Sequence, residues 1–128
     1  MKKFLLSLSL FSVSMISAHA QHQWKELVAF HEVMAATYHP SEEGKLQPTR
    51  DRSQELLDKA TAWKNSTEPE GFDKKAIKKD LKELVREAST LNKLVKAKAP
   101  DAKLKDQLAY MHDLFHTIEA KCEKKPKQ

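Results

Sequence analysis

Histidines are the residues of this sequence that offer the clearest chemistry, because a neutral imidazole is a common ligand of divalent transition metals. His112 and His116 are four residues apart, so a helix would place both rings on one face. His31 lies in an earlier stretch with helical periodicity. Two imidazoles one turn apart, completed by a third from a facing helix, form a tridentate metal site. The sequence therefore predicts a site for a copper- or zinc-class ion with the ligands His31, His112, His116 and Met34.

A second candidate site involves other histidines and the single cysteine. His39 is followed closely by two glutamates, Glu42 and Glu43. His22 and Cys122 fall at the same end of the molecule if the first and last helices are antiparallel. One cysteine cannot form an intramolecular disulfide, so the domain has to be held together by its core. The alternative is a structural role, with Cys122 as a small buried residue and His39 as a helix-end residue.

Breaker residues divide the chain into four helical runs. The sequence contains only two glycines and five prolines among 128 residues, which disfavours collagen-like and all-β folds. Between them, apolar residues recur at spacings of three and four, as in amphipathic helices. The predicted helices are 22–39, 47–65, 73–98 and 101–124, with Pro40 ending the first and Asp73 and Asp101 capping the last two. Short links between them predict an all-α, antiparallel up-down-up-down four-helix bundle.

The predicted inner face of the first helix determines where its histidine should lie. Spacings of three and four group His31 with these residues: Trp24, Leu27, Val28, Met34, Ala35 and Tyr38. A polar ring in the middle of such a face needs a hydrogen-bonding or metal partner, since an unpaired buried polar group is destabilising. Antiparallel packing of the first and fourth helices places His31 level with about residue 115 and Met34 level with about residue 112.

The first twenty residues have the pattern of a secretory signal peptide. Lys2 and Lys3 precede a short apolar run at 4–16, and residues 18–20 read Ala-His-Ala, a cleavage signature. The expected organisation is therefore a signal peptide at 1–20, a bundle at 21–124 and a basic tail at 125–128. Removing the signal lowers the net charge from +5 to +3. We expect a periplasmic protein that binds no nucleic acid and does not insert stably into the membrane after cleavage.

The predicted fourth helix resembles the last helix of the cytochrome c-prime family and of related periplasmic b-type bundles. Residues 108–115 read Leu-Ala-Tyr-Met-His-Asp-Leu-Phe, similar to a family motif of Cys-x-x-Cys-His followed by Asp and Phe. The resemblance implies an exported bundle that holds haem between helices one and four. His112 would then bind the iron, with Met34 or His31 as second ligand and Phe115 lining the slot. Both cysteine positions are replaced, so only a non-covalent haem b is compatible with this motif.

Three functions remain open on these observations. The first is an exported bundle that binds a transition-metal ion for sequestration or transfer. His116 favours this function, because a haem site would need only one of the two histidines on the fourth helix. The second is a non-covalent haem-binding, cytochrome-like electron-transfer bundle. The third is a ligand-free helical interaction module. An enzyme is not expected, because the sequence contains no nucleophile–base set and no recognisable pair of catalytic carboxylates.

Overall fold

The computed structural model describes residues 23–123, which form four α-helices. They are α1 (Lys25–Glu42), α2 (Gln47–Asn65), α3 (Lys74–Lys96) and α4 (Asp101–Cys122). Each helix packs against the next one in the chain, and α1 also packs against α4, which closes the bundle. The predicted all-α four-helix bundle is confirmed. The predicted signal peptide, His22 and the tail lie outside the described residues.

Contacts at the two ends of the bundle fix the directions of the helices. At one end, the indole of Trp24 before α1 donates to Ser66 Oγ just after α2, at 2.8 Å. At the same end, the backbone N–H of Asp73 before α3 donates to the carbonyl of Cys122 in the last turn of α4, at 2.8 Å. At the other end, Arg50 near the start of α2 donates to the carbonyl of Ala99 in the loop between α3 and α4 and to the carboxylate of Asp101 at the start of α4. Successive helices are therefore antiparallel, as the sequence predicted.

The inner face of α1 is rotated by nearly one residue from the predicted face. The buried positions of α1 are Leu27, Phe30, Val33, Met34, Thr37 and Ser41. His31 is exposed, so the prediction that its ring lies in the middle of the buried face is wrong. Both faces satisfy the same spacing, but the real one buries Phe30, whose ring packs 5.8 Å from Trp63 and 5.7 Å from Phe115. Burying this large aromatic ring stabilises the fold more than burying an imidazole would.

The first helix does not end at Pro40, as predicted, but continues to Glu42. Pro40 lies in the last turn, where its missing N–H removes only one hydrogen bond of the helix. The helix ends where Gly44 adopts a φ of +77°, a conformation that favours glycine. There the N–H of Gly44 donates to Ser41 and that of Lys45 donates to Pro40, both at 3.0 Å, which is the Schellman arrangement. The residues just before the proline consequently remain helical.

The ends of α3 and α4 match the sequence predictions in part. Asp73 caps α3, since its carboxylate accepts from the N–H of Ala76 at 3.1 Å. Asp101 is not the N-cap of α4: Pro100 holds that position, and Asp101 forms an ion pair with Arg50 at 2.6 Å. The C-terminal end of α3 is closed by a Schellman arrangement without glycine, because Lys98 adopts a φ of 54°.

Replacing Lys98 by glycine should stabilise the protein. A non-glycine residue in the left-handed region destabilises the folded state by roughly 1–2 kcal/mol. Glycine removes this strain but loses more backbone entropy on folding, so only part of that energy is gained. We expect Lys98→Gly to raise the free energy of unfolding by about 0.5–1 kcal/mol in urea titrations. As a matched control, Lys93→Gly inside α3 should lower it by about 1 kcal/mol. A loss of stability in Lys98→Gly would contradict the assignment of this cap.

Candidate metal centre

The centre of the candidate site is a pair of histidines on α4. The Nε2 atoms of His112 and His116 lie 3.0 Å apart, with the two ring planes nearly perpendicular. The side chain of His112 is 19% exposed and that of His116 is 51% exposed, so the pair opens to solvent on one side. One Nε2–H donates to the unprotonated Nε2 of the other ring. Both imidazole nitrogens are thus directed at one small region of space.

The end of α1 covers the buried side of this pair. Tyr38 stacks on the ring of His112 with centroids 3.9 Å apart and planes 14° from parallel. His39, the next residue, lies with its ring centroid 6.2 Å from that of His112. The Nδ1 atom of His39 is 3.3 Å from a carboxylate oxygen of Glu42. Tyr38 and His39 belong to the predicted helix, and the helical extension past Pro40 adds Glu42 to this group.

A carboxylate lies near the Nδ1 atom of two of the three rings, and at His39 the contact is a hydrogen bond. The Nδ1 atom of His39 faces Glu42, and the Nδ1 atom of His116 faces Glu119 at 3.5 Å. A histidine that donates Nδ1–H to a carboxylate keeps its Nε2 lone pair free for an ion, which is common among metal-binding histidines. The hydrogen bond with His39 also lowers the pKa of Glu42, and this keeps the carboxylate ionised. In His39 this leaves Nε2, not Nδ1, as the outward ligand atom, whereas in the hydrogen bond between His112 and His116 one Nε2 carries a proton that an ion would displace.

The other predicted ligands lie away from this pair. His31 is exposed and stacks on Phe115, with centroids 4.8 Å apart, so it lies at the level the sequence predicted. Met34 is completely buried in the core, whereas the histidine pair is at the surface. The buried face of α1 turns Met34 into the core. The α1 residue that contacts His112 is therefore Tyr38, one turn beyond Met34. Phe115, the residue expected to line a haem slot, is also completely buried.

Burial is the largest influence on the pKa of His112. Loss of hydration lowers the pKa of its imidazole, and repulsion from His116 lowers it further, while Asp113 opposes both. The Nδ1 atom of His112 is buried and has no hydrogen-bond partner among residues 23–123. The nearest carboxylate oxygen, on Asp113, is 3.9 Å away, which is too far for a hydrogen bond. The fold therefore favours the neutral form of His112, the form that binds metals.

The second candidate site is only partly described. His39 belongs to the surroundings of His112, as shown above, and His22 lies outside the described residues. Cys122 is buried and its thiol is free. Burial raises the pKa of this thiol to about 11, so it stays protonated at neutral pH. A protonated thiol is a poor metal ligand, which fits the structural alternative for Cys122.

The described part of the chain contains a histidine pair but no complete metal cage. Between residues 23 and 123, no three His, Cys, Asp or Glu side chains are placed to hold one ion together. Over the same range, none of the helices has the length and apolar character needed to cross a membrane. Comparison with protein-family models, with curated proteins and with solved structures gave no match. Function has to be inferred from the residues themselves.

Protonation of His112 should make the stability of the fold depend on pH. Its pKa is lower in the folded state than the unfolded value near 6.5, so the unfolded chain binds the proton more readily. This contribution to stability is complete above about pH 6.5 and is lost as the pH falls from there through the folded pKa. We expect His112→Gln to show a smaller decrease of melting temperature between about pH 7 and pH 5, measured in a chelating buffer. His31→Gln, which changes an exposed ring, should retain the wild-type slope; equal slopes in wild type and His112→Gln would refute this assignment.

Proposed function

We propose that this protein binds a transition-metal ion, with copper(II) preferred, at the His112–His116 pair, and that it sequesters or transfers that ion. The observation that carries the proposal is the 3.0 Å separation of the two Nε2 atoms. Imidazoles at positions i and i+4 of a helix form a bidentate site without any change of backbone. The lowered pKa of His112 adds to this, because protons compete less strongly with the ion.

The affinity order of divalent first-row metals favours copper(II) over zinc at a pair of imidazoles. With metal–nitrogen bonds of about 2.0–2.1 Å, two nitrogens 3.0 Å apart subtend about 94° at the ion. This angle is close to the right angle between neighbouring ligands of a tetragonal copper(II) site. The tetrahedral angle that zinc prefers needs a separation of about 3.3–3.4 Å, which a small rotation of the half-exposed His116 ring supplies, so the geometry accommodates either ion.

His39 is the side chain best placed to supply the third ligand. It is 63% exposed, so its ring can move towards the pair against only its contacts with Tyr38 and Glu42. Its Nδ1 atom is directed at Glu42, which leaves Nε2 for the ion. The proposed third ligand is therefore His39 and not His31, which the sequence predicted. His39 lies beside His112, whereas His31 stacks on Phe115.

A bare ion accounts for the site better than a haem. The interior between α1, α2 and α4 at this level is filled by Phe30, Trp63 and Phe115, whose rings lie 5.7–6.0 Å apart. Inserting a macrocycle would require this cluster to separate, at the cost of its packing energy. An ion bound at the surface pair leaves the core unchanged.

Export completes the proposal and rests on the sequence of residues 1–20. The basic start, the short apolar run and the Ala-His-Ala signature support secretion across the inner membrane and a periplasmic location. In that compartment, an exposed histidine site would exchange its ion with other carriers. The export step is tested by the N-terminal sequence of protein recovered from a periplasmic extract, which should begin near Gln21.

Calorimetric titration with copper(II) should detect one site that depends on the α4 pair. Loss of outer-shell partners alone weakens metal sites by about 10- to 100-fold, so removal of both ligands in His112→Gln plus His116→Gln should cost at least that much. Affinity should also fall on acidification as His112 takes up a proton, and burial moves this loss below the ordinary imidazole pKa near 6.5. His39→Gln should weaken binding less than the double variant.

The exposed His31 provides the matched control for these variants. His31→Gln removes one imidazole from α1 but leaves the proposed ligands in place, so its copper affinity should equal that of the wild type. A double variant with wild-type affinity would refute the site. Wild-type protein that ignores copper, zinc and added haemin would instead support a helical interaction module without a ligand.

A further inference from the structure

The exposed face of α3 carries a row of positively charged side chains. This helix contains eight lysine or arginine residues and three acidic ones. With about 100° of rotation per residue, seven of its cations fall within an arc of about 100°. All seven are exposed, and they form what we call the basic face: Lys75, Lys78, Lys79, Lys82, Arg86, Lys93 and Lys96. At about 1.5 Å per residue the row is roughly 30 Å long.

The acidic residues of α3 lie beside the basic face, on its α4 side. Asp80 pairs with Lys121 of α4 at 3.0 Å. Glu87 accepts from Gln107 at 2.8 Å, and Glu83 accepts from the hydroxyl of Tyr110, both partners being on α4. Among residues 23–123, the six lysines of the basic face make no ion pair, while Arg86 pairs with Glu83 and Glu87. The positive charge of this face is therefore largely uncompensated within the described fold.

A groove between α2 and α3 runs beside this face and extends its positive surface. One part has a volume of about 630 Å³, and its charged lining is five lysines and one glutamate: Lys64, Lys74, Lys75, Lys78, Lys82 and Glu68. A neighbouring part of about 560 Å³ shares Lys64 and Lys82. Lysine stems and the side chain of Leu81 supply apolar walls, and ammonium groups stand at the rim. A groove with a positive rim and apolar walls has room for a phosphate group and for an apolar chain attached to it.

The charges of the bundle are distributed unevenly between opposite corners. α3 packs against α2 and α4, so α1 lies across the bundle from it. α1 contains one lysine and three glutamates, in contrast to α3. This distribution orients the molecule in an external field with α3 towards negative charge and α1 away from it. The histidine pair, which contacts the end of α1, then remains on the far side.

We propose that the basic face of α3 and the adjoining groove dock this protein on an anionic phospholipid surface. A row of cations about 30 Å long is far larger than one small anion requires, whereas a lipid leaflet presents phosphate groups along its whole length. The mode is peripheral: ammonium groups contact headgroup phosphates and the helix lies along the surface. Docking in this way keeps the histidine pair open to the solvent, and it does not depend on metal binding.

Sedimentation with lipid vesicles tests the docking. The full chain is mixed with vesicles of phosphatidylcholine alone or with added phosphatidylglycerol, and binding to phosphatidylcholine alone serves as the baseline for any apolar contribution. The test variant is Lys75→Gln with Lys79→Gln and Lys82→Gln. Its control carries the same charge change on other helices: Lys25→Gln with Lys103→Gln and Lys105→Gln. Circular dichroism and melting curves establish that both variants fold.

The basic-face variant should bind anionic vesicles roughly 100-fold more weakly, since each lysine near an anionic leaflet contributes a factor of about five. The control variant should lose less than about tenfold, and binding by the wild type should disappear as salt rises towards about 1 M. Equal losses in both variants, or equal binding to neutral and anionic vesicles, would overturn the proposal. So would tight binding of single-stranded DNA or poly-glutamate without binding of vesicles. Copper titration of the same variants should be unchanged, which separates this result from the fate of the metal site.

Discussion

Phe30, Trp63 and Phe115 meet in the core with ring centroids 5.7–6.0 Å apart, and their contact sets the rotation of α1 against α2 and α4. Because Phe30 has to point inward, the next residue, His31, points outward. The same rotation buries Met34 and leaves Tyr38 at the flank, where it reaches α4. The placement of the α1 side chains beside the α4 histidine pair follows from this one packing constraint.

The stack of Tyr38 on His112 links that core to the surface chemistry. It covers one side of the imidazole, so burial lowers its pKa while the Nε2 atom still faces His116. A ring that is partly buried and neutral is better prepared for an ion than a freely rotating one, because less side-chain freedom is lost on binding. His39 and Glu42, on the last turn of the same helix, then complete a polar cluster around it.

The proposed metal site and the proposed lipid-binding face lie at opposite corners of one bundle. Each helix of a four-helix bundle exposes one side to solvent. The α1–α4 pair and the α2–α3 pair can therefore carry unrelated surfaces that share no residues. Here the α1–α4 side holds the histidines, and the α2–α3 side holds the lysines. The buried Ser53–Asn92 hydrogen bond, 2.9 Å long, joins α2 to α3 beneath the basic side. Each surface is therefore supported by its own packed pair of helices.

Periodicity and breaker residues in the sequence determined the number, order and direction of the helices, and the seam of α4 from Leu104 to Cys122 is buried as predicted. They also determined that His112 and His116 share a face, since that depends only on helical geometry within four residues. The rotation of α1 was not determined, because two overlapping faces satisfy the same spacing and the choice depends on how Phe30 packs against rings from other helices. The end of α1 was misplaced for a similar reason: Pro40 fits the last turn, and the cap at Gly44 closes the helix. Only the tertiary structure therefore decided that His39, and not His31, lies beside the α4 pair.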